Sequence, residues 1–270
     1  MAPGGFVQCL CYLCVGDELA INEHRTFLSS ITGELVLRAT RRLKSGMLRD
    51  VYGPLVLASG SPRRRELLAQ AGLNFEVAPS QVSELATTSL SMAELTTYNA
   101  TRKAVDIARL RRDAVVLGAD TLVSLEGKTI GKPADWREAL QILQRLRGRE
   151  HQVCTAVFLF APRRKLAISF YVISHVRFRP LNDTQIRAYL AKVNPLDKAG
   201  AYAAQRDGAE IIAEIRGSYT NVVGLPMDET IRALRKFGIK PAARTPRDQS
   251  AGSRQQISSL LPSGSSKKNA

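Results

Sequence analysis

The run LVLASGSPRRRELLAQAG, residues 55–72, reads as a buried strand, a loop of small residues and a helix in direct succession. Leu55–Ala58 is apolar and short, Ser61 stands at the N-cap position, Pro62 opens the helix and Gly72 closes it. Arg63, Arg64 and Arg65 then fall in the first helical turn. Cations there meet the positive end of the helix dipole at a cost of roughly 0.3–1 kcal/mol each. An anion at the helix start resolves the conflict, because outward N–H groups and arginine forks together bind phosphate. The bland alternative is a solvated basic helix start.

Working outward, strands and helices alternate. Phe75–Val77 reads as a strand, and a polar loop holding Glu84 follows. Met92–Leu110 is a helix capped near Ser91, and AVVLG at 114–118 is a short apolar run typical of a buried parallel strand. Helices are expected over 135–146, 183–191 and 227–237, with strands over 153–160, 168–178 and 209–215. This succession predicts an α/β fold with a mixed sheet. Residues 1–46 lack sustained periodicity and end in RATRRLKSG, so the folded domain is expected to begin near Met47, after a loosely ordered extension or a mis-assigned start. The domain is then residues 47–240. Residues 241–270 turn to Pro, Arg, Ser, Gln and Gly and read as a disordered basic tail.

The chain has 270 residues, 44% of them hydrophobic, which is enough for a full core. Its net charge of +15 calls for anionic partners. That charge is dispersed, with no long lysine block, and only 6% of residues are aromatic. A nucleotide fits this balance better than a nucleic-acid polymer, which needs a concentrated basic face and stacking rings. No stretch reaches the roughly 20 apolar residues that span a bilayer, and Phe6–Val15 lacks the basic start and cleavage site of a signal peptide. A cytoplasmic location is expected. Cys9, Cys11 and Cys14 contain one CxxC, too little by itself for a zinc site.

Asp120 follows the buried run 114–118, where open α/β sheets present their ligand crevice. It is a candidate catalyst, with a loop cap as the alternative. Lys132 in GKP, between Gly131 and Pro133, is a candidate point charge for phosphate or a plain surface lysine. Glu84 and Asp120 supply the hard oxygen ligands that Mg²⁺ takes beside phosphates. DKAGAYAAQ at 197–205 is dense in small residues, and Gln205 offers one acceptor and two donors, enough to read a base edge. His24, His151 and His175 show neither triad nor metal spacing.

ASGSPRR at 58–64, GADT at 118–121, GKP at 131–133, DKAGAY at 197–202 with Gln205, and GLP at 224–226 occur in this order. On these motifs the chain, over about residues 54–239, resembles the Maf family of nucleoside triphosphate pyrophosphatases. The resemblance implies an elongated α/β fold with flanking helices and two lobes around a cleft, like the inosine triphosphate pyrophosphatases. It implies metal-dependent hydrolysis, with Mg²⁺ or Mn²⁺, of a nucleoside triphosphate to monophosphate and pyrophosphate. Family members are thought to clear non-standard nucleotides and are linked to cell-division arrest; many are dimers, so a homodimer is expected.

Carried onto this sequence, the resemblance makes Asp120 the proton acceptor that activates water and Lys132 a transition-state partner. Ser61, Arg63, Arg64, Lys103, Thr121, Lys198 and Gln205 would bind substrate, and Glu84 with Asp120 would hold the metal. Arg63, Thr121 and Gln205 stand where the subgroup acting on dTTP and UTP carries Arg, Thr and Gln. Ala203-Ala204 stands where many relatives have Gly-Ile. The alternatives are a pyrophosphatase for another nucleotide, such as a modified pyrimidine or 7-methyl-GTP, and a nucleotide-binding regulator of division.

Overall fold

The computed structural model describes residues 7–10 and 53–242. Its strands are β1 (Val7–Leu10), β2 (Leu55–Leu57), β3 (Glu76–Val77), β4 (Val115–Leu125), β5 (Lys128–Ile130), β6 (Glu150–Ala161), β7 (Leu166–Phe178) and β8 (Ile212–Arg216). Its helices are α1 (Pro62–Gln70), α2 (Met92–Leu110), α3 (Trp136–Leu146), α4 (Asp183–Leu190), α5 (Gly208–Ile211), α6 (Tyr219–Val223) and α7 (Met227–Arg235). The strands form one mixed sheet in the order β1-β7-β6-β4-β2-β3, with β5 on β4 and β8 on β7. β2 runs parallel to both neighbours, and the other pairings are antiparallel.

Period-two alternation divides the core. Leu55, Leu57, Val115, Leu117 and Ala119 pack with Leu67 and Leu68 of α1 and with Ala233 and Leu234 of α7. Val56, Ala58, Ala114 and Val116 pack with Ala100, Ala104 and Ile107 of α2, on the other face. The far halves of β4, β6 and β7 carry a third cluster, in which Val123, Val153 and Phe178 meet α3 and α4. Long strands thus tie two lobes together. α2 presses closest on the sheet at Gly118, where a Cβ would lie 2.3 Å from the Ala100 carbonyl oxygen and 2.7 Å from the Ala104 nitrogen. The capping box that starts this helix is complete, since Ser91 N donates to Glu94 Oε2 at 2.8 Å and Glu94 N to Ser91 Oγ at 3.3 Å.

Two sequence expectations change. The apolar run 114–118 does not end before Asp120, because β4 continues to Leu125 and places Asp120 inside the strand. Antiparallel pairing with β6 from Val116↔Phe160 to Ser124↔Gln152 keeps Ala119, Asp120 and Thr121 extended beyond the apolar run. Residues 209–215 are not a single strand, since α5 occupies Gly208–Ile211 before β8 begins at Ile212. Of the expected extension 1–46, only Val7–Leu10 falls among the described residues, paired antiparallel with β7 at 169–172. Cys11, Cys14 and nearly all of the expected tail lie outside them; Ala242 N, at their end, donates to Gly72 O at 2.8 Å.

Candidate active site

The cleft originates in a break in strand pairing. β2 pairs with β4 only as far as Leu57↔Leu117, extended by the Ala58 N–H donating to Leu117 O, and β5 takes up that edge at Val123↔Ile130. Between them the edge of β4 from Gly118 to Leu122 has β6 on its other side only. A cavity of about 370 Å³ opens there, lined by Asp120, Thr121, the start of α1, the Glu84 loop, Lys132 and the 197–204 segment. That volume is of small-ligand size.

Asp120 is almost fully buried beside α2. Its Oδ1 lies 2.6 Å from Lys103 Nζ, and its Oδ2 receives a long 3.4 Å hydrogen bond from Asn99 Nδ2. Asn99 is itself fixed, accepting from Leu85 N at 2.8 Å and donating to Leu85 O at 3.1 Å. Burial raises the Asp120 carboxyl above its ordinary value; Lys103 opposes that rise and nearby Glu84 adds to it. Lys103 Nζ also contacts Glu84 Oε1 at 2.7 Å, and Lys132 Nζ holds both Glu84 oxygens at 3.0 and 2.9 Å. Burial pushes the Glu84 carboxyl upward, but the two ammonium groups outweigh it and hold it at about 2. Two carboxylates and two lysines therefore alternate along one wall.

The opposite wall is the start of α1. Ser61 occupies the N-cap position without a side-chain cap bond, no acidic residue lies in the first turn, and Ser61 N donates to Ser59 Oγ at 3.3 Å. Arg63 reaches across the mouth to Asp197 Oδ2 at 3.1 Å, and Lys198 pairs with the same aspartate while donating to Asn194 O. Arg64 behaves differently from a phosphate ligand. It is buried, with Nε donating to Gly224 O at 2.9 Å, Nη1 to Ser59 Oγ at 3.0 Å and Nη2 to Thr121 Oγ1 at 3.0 Å. Its fork ties the helix start to the GLP loop, although it still lines the cavity. Burial pulls its guanidinium below the usual value, with Asp120 opposing.

Of the sequence candidates, Ser61, Arg63, Arg64, Glu84, Lys103, Asp120, Thr121, Lys132 and Lys198 all line this cavity. Gln205 does not; Ala203 and Ala204 stand there in its place, and the Gln205 carbonyl accepts from Gly208 N at 3.1 Å as α5 begins. Asp197 was quoted within DKAGAY without a role, and Asn99 and the hydroxyl of Thr155, which lies 2.9 Å from that of Thr121, were not among the sequence candidates. The signal for them was slight: Asn99 sits one helical turn before Lys103 and so shares its face. His151 is buried and structural, with Nε2 2.8 Å from the Tyr202 hydroxyl and its ring edge-on to Phe178.

Glu84 and Asp120 already converge on one cation, the Lys103 ammonium. Their oxygens suit a divalent ion bound together with substrate phosphates, the usual manner of Mg²⁺. No cluster of three or more His, Cys, Asp or Glu fit for a metal occurs among the described residues, so the protein offers part of a shell rather than a cage.

An α/β protein with a cleft of alternating lysines and carboxylates facing a basic helix start is a binder of polyanionic ligands. The chain matches the Maf-like protein family over residues 54–237 and belongs to that family. It is 46% identical over 187 residues to the dTTP/UTP pyrophosphatase of Bacillus pumilus, covering 69% of this chain and 98% of that protein. It is 47% identical over 184 residues to the enzyme of the same name from Symbiobacterium thermophilum, covering 68% and 94%. The dTTP/UTP pyrophosphatase of Akkermansia muciniphila is 43% identical over 187 residues, covering 69% and 98%.

Proposed function

We propose that the protein is a nucleoside triphosphate pyrophosphatase that hydrolyses dTTP and UTP at the α–β anhydride, giving the monophosphate and pyrophosphate. The observation that carries this reading is the buried Asp120 carboxylate, exposed to the cleft at the unpaired edge of β4 and held on one oxygen by Lys103. With Oδ1 taken by the ammonium and Oδ2 engaged by only a long bond, Oδ2 is the atom that accepts a proton from water. Burial makes that carboxylate a stronger base than an exposed aspartate.

The water oxygen bonds to phosphorus, the bridging P–O bond breaks, pyrophosphate leaves with the electron pair, and the proton on Asp120 passes to solvent. Lys103, Lys132 and Arg63 hold the phosphates in place and stabilise charge on the leaving group, acting from fixed positions before reaction. The open first turn of α1 adds backbone donors for the same phosphates. A divalent ion, Mg²⁺ or Mn²⁺, would be held by Glu84 and Asp120 and would supply charge neutralisation at the anhydride. The substrate is taken to be a free nucleotide in the cytoplasm, and the working form a homodimer. Among the described residues no helix is long and apolar enough to cross a membrane.

Pyrophosphate release from dTTP, UTP, CTP, GTP and 7-methyl-GTP, with Mg²⁺, Mn²⁺ or chelator, tests the reading. Metal-dependent turnover led by dTTP and UTP is expected. Binding of these nucleotides without turnover would replace the enzyme reading with a regulatory one.

A further inference from the structure

Residues 78–91 connect β3 to α2 without helix or strand, and Glu84 reaches the cleft from the middle of this loop. Such a segment has no ladder of its own to hold a carboxylate in place. One face of α2 holds it instead. Asn99, Arg102, Lys103 and Asp106 recur at the spacing that brings side chains onto the same side of a helix. Ser80 Oγ donates to Asp106 Oδ2 at 2.7 Å, Arg102 Nη1 to Ser83 O at 2.9 Å and Lys103 Nζ to Glu84 Oε1 at 2.7 Å. The loop thus runs antiparallel to the helix, from Ser80 beside Asp106 to Leu85 beside Asn99.

Asn99 differs from the other three in being buried, at 2% exposure. Its Oδ1 accepts from Leu85 N at 2.8 Å and its Nδ2 donates to Leu85 O at 3.1 Å, so the amide pairs with both backbone groups of one residue, as a neighbouring strand would. A backbone N–H only donates and a carbonyl only accepts, so Leu85 fixes which end of the amide is which. The same nitrogen has a second proton, which Asp120 Oδ2 accepts at 3.4 Å. One side chain therefore touches the residue after Glu84 and the carboxylate of Asp120. The helix end of this clamp is rigid, because Ala100 O, next in the chain to Asn99, packs against Gly118 of β4.

We propose that Asn99 is a positioning residue, a two-point clamp on Leu85 that holds the Glu84 carboxylate in the cleft beside Asp120. The proposal rests on the pyrophosphatase reading, and within that reading it assigns the placement of Glu84 to an amide that touches neither substrate nor the reacting atoms. A leucine at position 99 would fill the same space and offer neither donor nor acceptor.

The test follows pyrophosphate release from UTP with Mg²⁺, and amide exchange at Leu85 by NMR, in the wild type, Asn99→Leu, Glu84→Ala and the double variant. In the wild type the Leu85 N–H should exchange about a hundredfold slower than its intrinsic rate, and Asn99→Leu should abolish that protection. Asn99→Leu should lower kcat about tenfold with KM within about threefold, since Arg63 and the start of α1 on the opposite wall are untouched. On the Glu84→Ala background it should change kcat by less than about twofold, because a clamp adds nothing once the residue it positions is gone. Damage unrelated to Glu84 would multiply instead. Where Asn99→Leu does not fold by circular dichroism, Asn99→Ser takes its place with the same expectations, since one hydroxyl cannot span both Leu85 groups. A Leu85 amide that exchanges at its intrinsic rate in the wild type, an unchanged kcat in the single variant, or multiplied losses in the double variant overturn the proposal while leaving the pyrophosphatase reading intact. A wild type that releases no pyrophosphate from any nucleotide overturns both.

Discussion

Lys103 Nζ stands 2.6 Å from Asp120 Oδ1 and 2.7 Å from Glu84 Oε1, so one ammonium group joins the water-activating carboxylate to the loop carboxylate across the cleft wall. The lysine reaches there because α2 lies against β4 at Gly118, a helix–strand approach too close for any side chain. Removing that charge leaves a buried carboxylate without its partner, which is costly where the dielectric is low.

Lys103→Met should lower kcat about a hundredfold. It should also move the acid limb of the kcat profile to higher pH. The base works deprotonated, so activity falls as pH drops through its pKa; burial raises that pKa and Lys103 opposes the rise, so losing Lys103 raises it further. A profile whose acid limb stays in place would show that another group titrates.

Gly118→Ala should separate α2 from β4. An added Cβ at 2.3 Å from a backbone oxygen cannot be absorbed by a rotamer change. Thermal and urea denaturation should show a loss of about 1–3 kcal/mol, with turnover falling more than stability alone would explain, because Lys103 and Asn99 move with the helix. Unchanged activity in a folded Gly118→Ala protein would contradict this placement.

Arg63 and Arg64 are neighbours with different duties. Arg63→Ala removes a part-exposed guanidinium at the cleft mouth and should raise KM for triphosphates about tenfold, with a melting temperature within about 2 °C of wild type. Arg64→Ala leaves Gly224 O, Ser59 and Thr121 without their donor and should cost about 2–4 kcal/mol of stability. Steady-state kinetics paired with urea titration of each variant checks the contrast.

Much of this was legible in the sequence. The strand, loop and helix of residues 55–72, the cap at Ser91 and the ordered motifs led to the fold and to nine residues that share one cavity. What stayed hidden depends on long-range pairing. Asp120 lies within a strand because β6 pairs with β4 well beyond the apolar run 114–118. Arg64 turns inward because Gly224, far along the chain, supplies a carbonyl. Gln205 sits beyond the cavity because the chain enters α5 there.

His151 gives a stability test apart from catalysis. Burial pushes its imidazole from 6.5 down to about 4. Between those values the unfolded chain binds a proton that the folded chain refuses, so stability is full above pH 6.5 and declines as pH falls toward 4, by about 3 kcal/mol. Glu84 acts in a lower window, since its folded value near 2 lies below the ordinary 4.5 and its contribution is lost as pH falls from 4.5 toward 2. Urea midpoints from pH 7 to 4.5 should fall in the wild type and flatten in His151→Gln.

The most direct test of the account is the steady-state rate of pyrophosphate release from saturating UTP with Mg²⁺, compared between wild type and Asp120→Asn. The asparagine keeps shape and removes the proton acceptor, so kcat should fall by about 10²–10⁴ while KM changes little. An Asp120→Asn protein that turns over UTP at the wild-type rate would show that water is activated elsewhere.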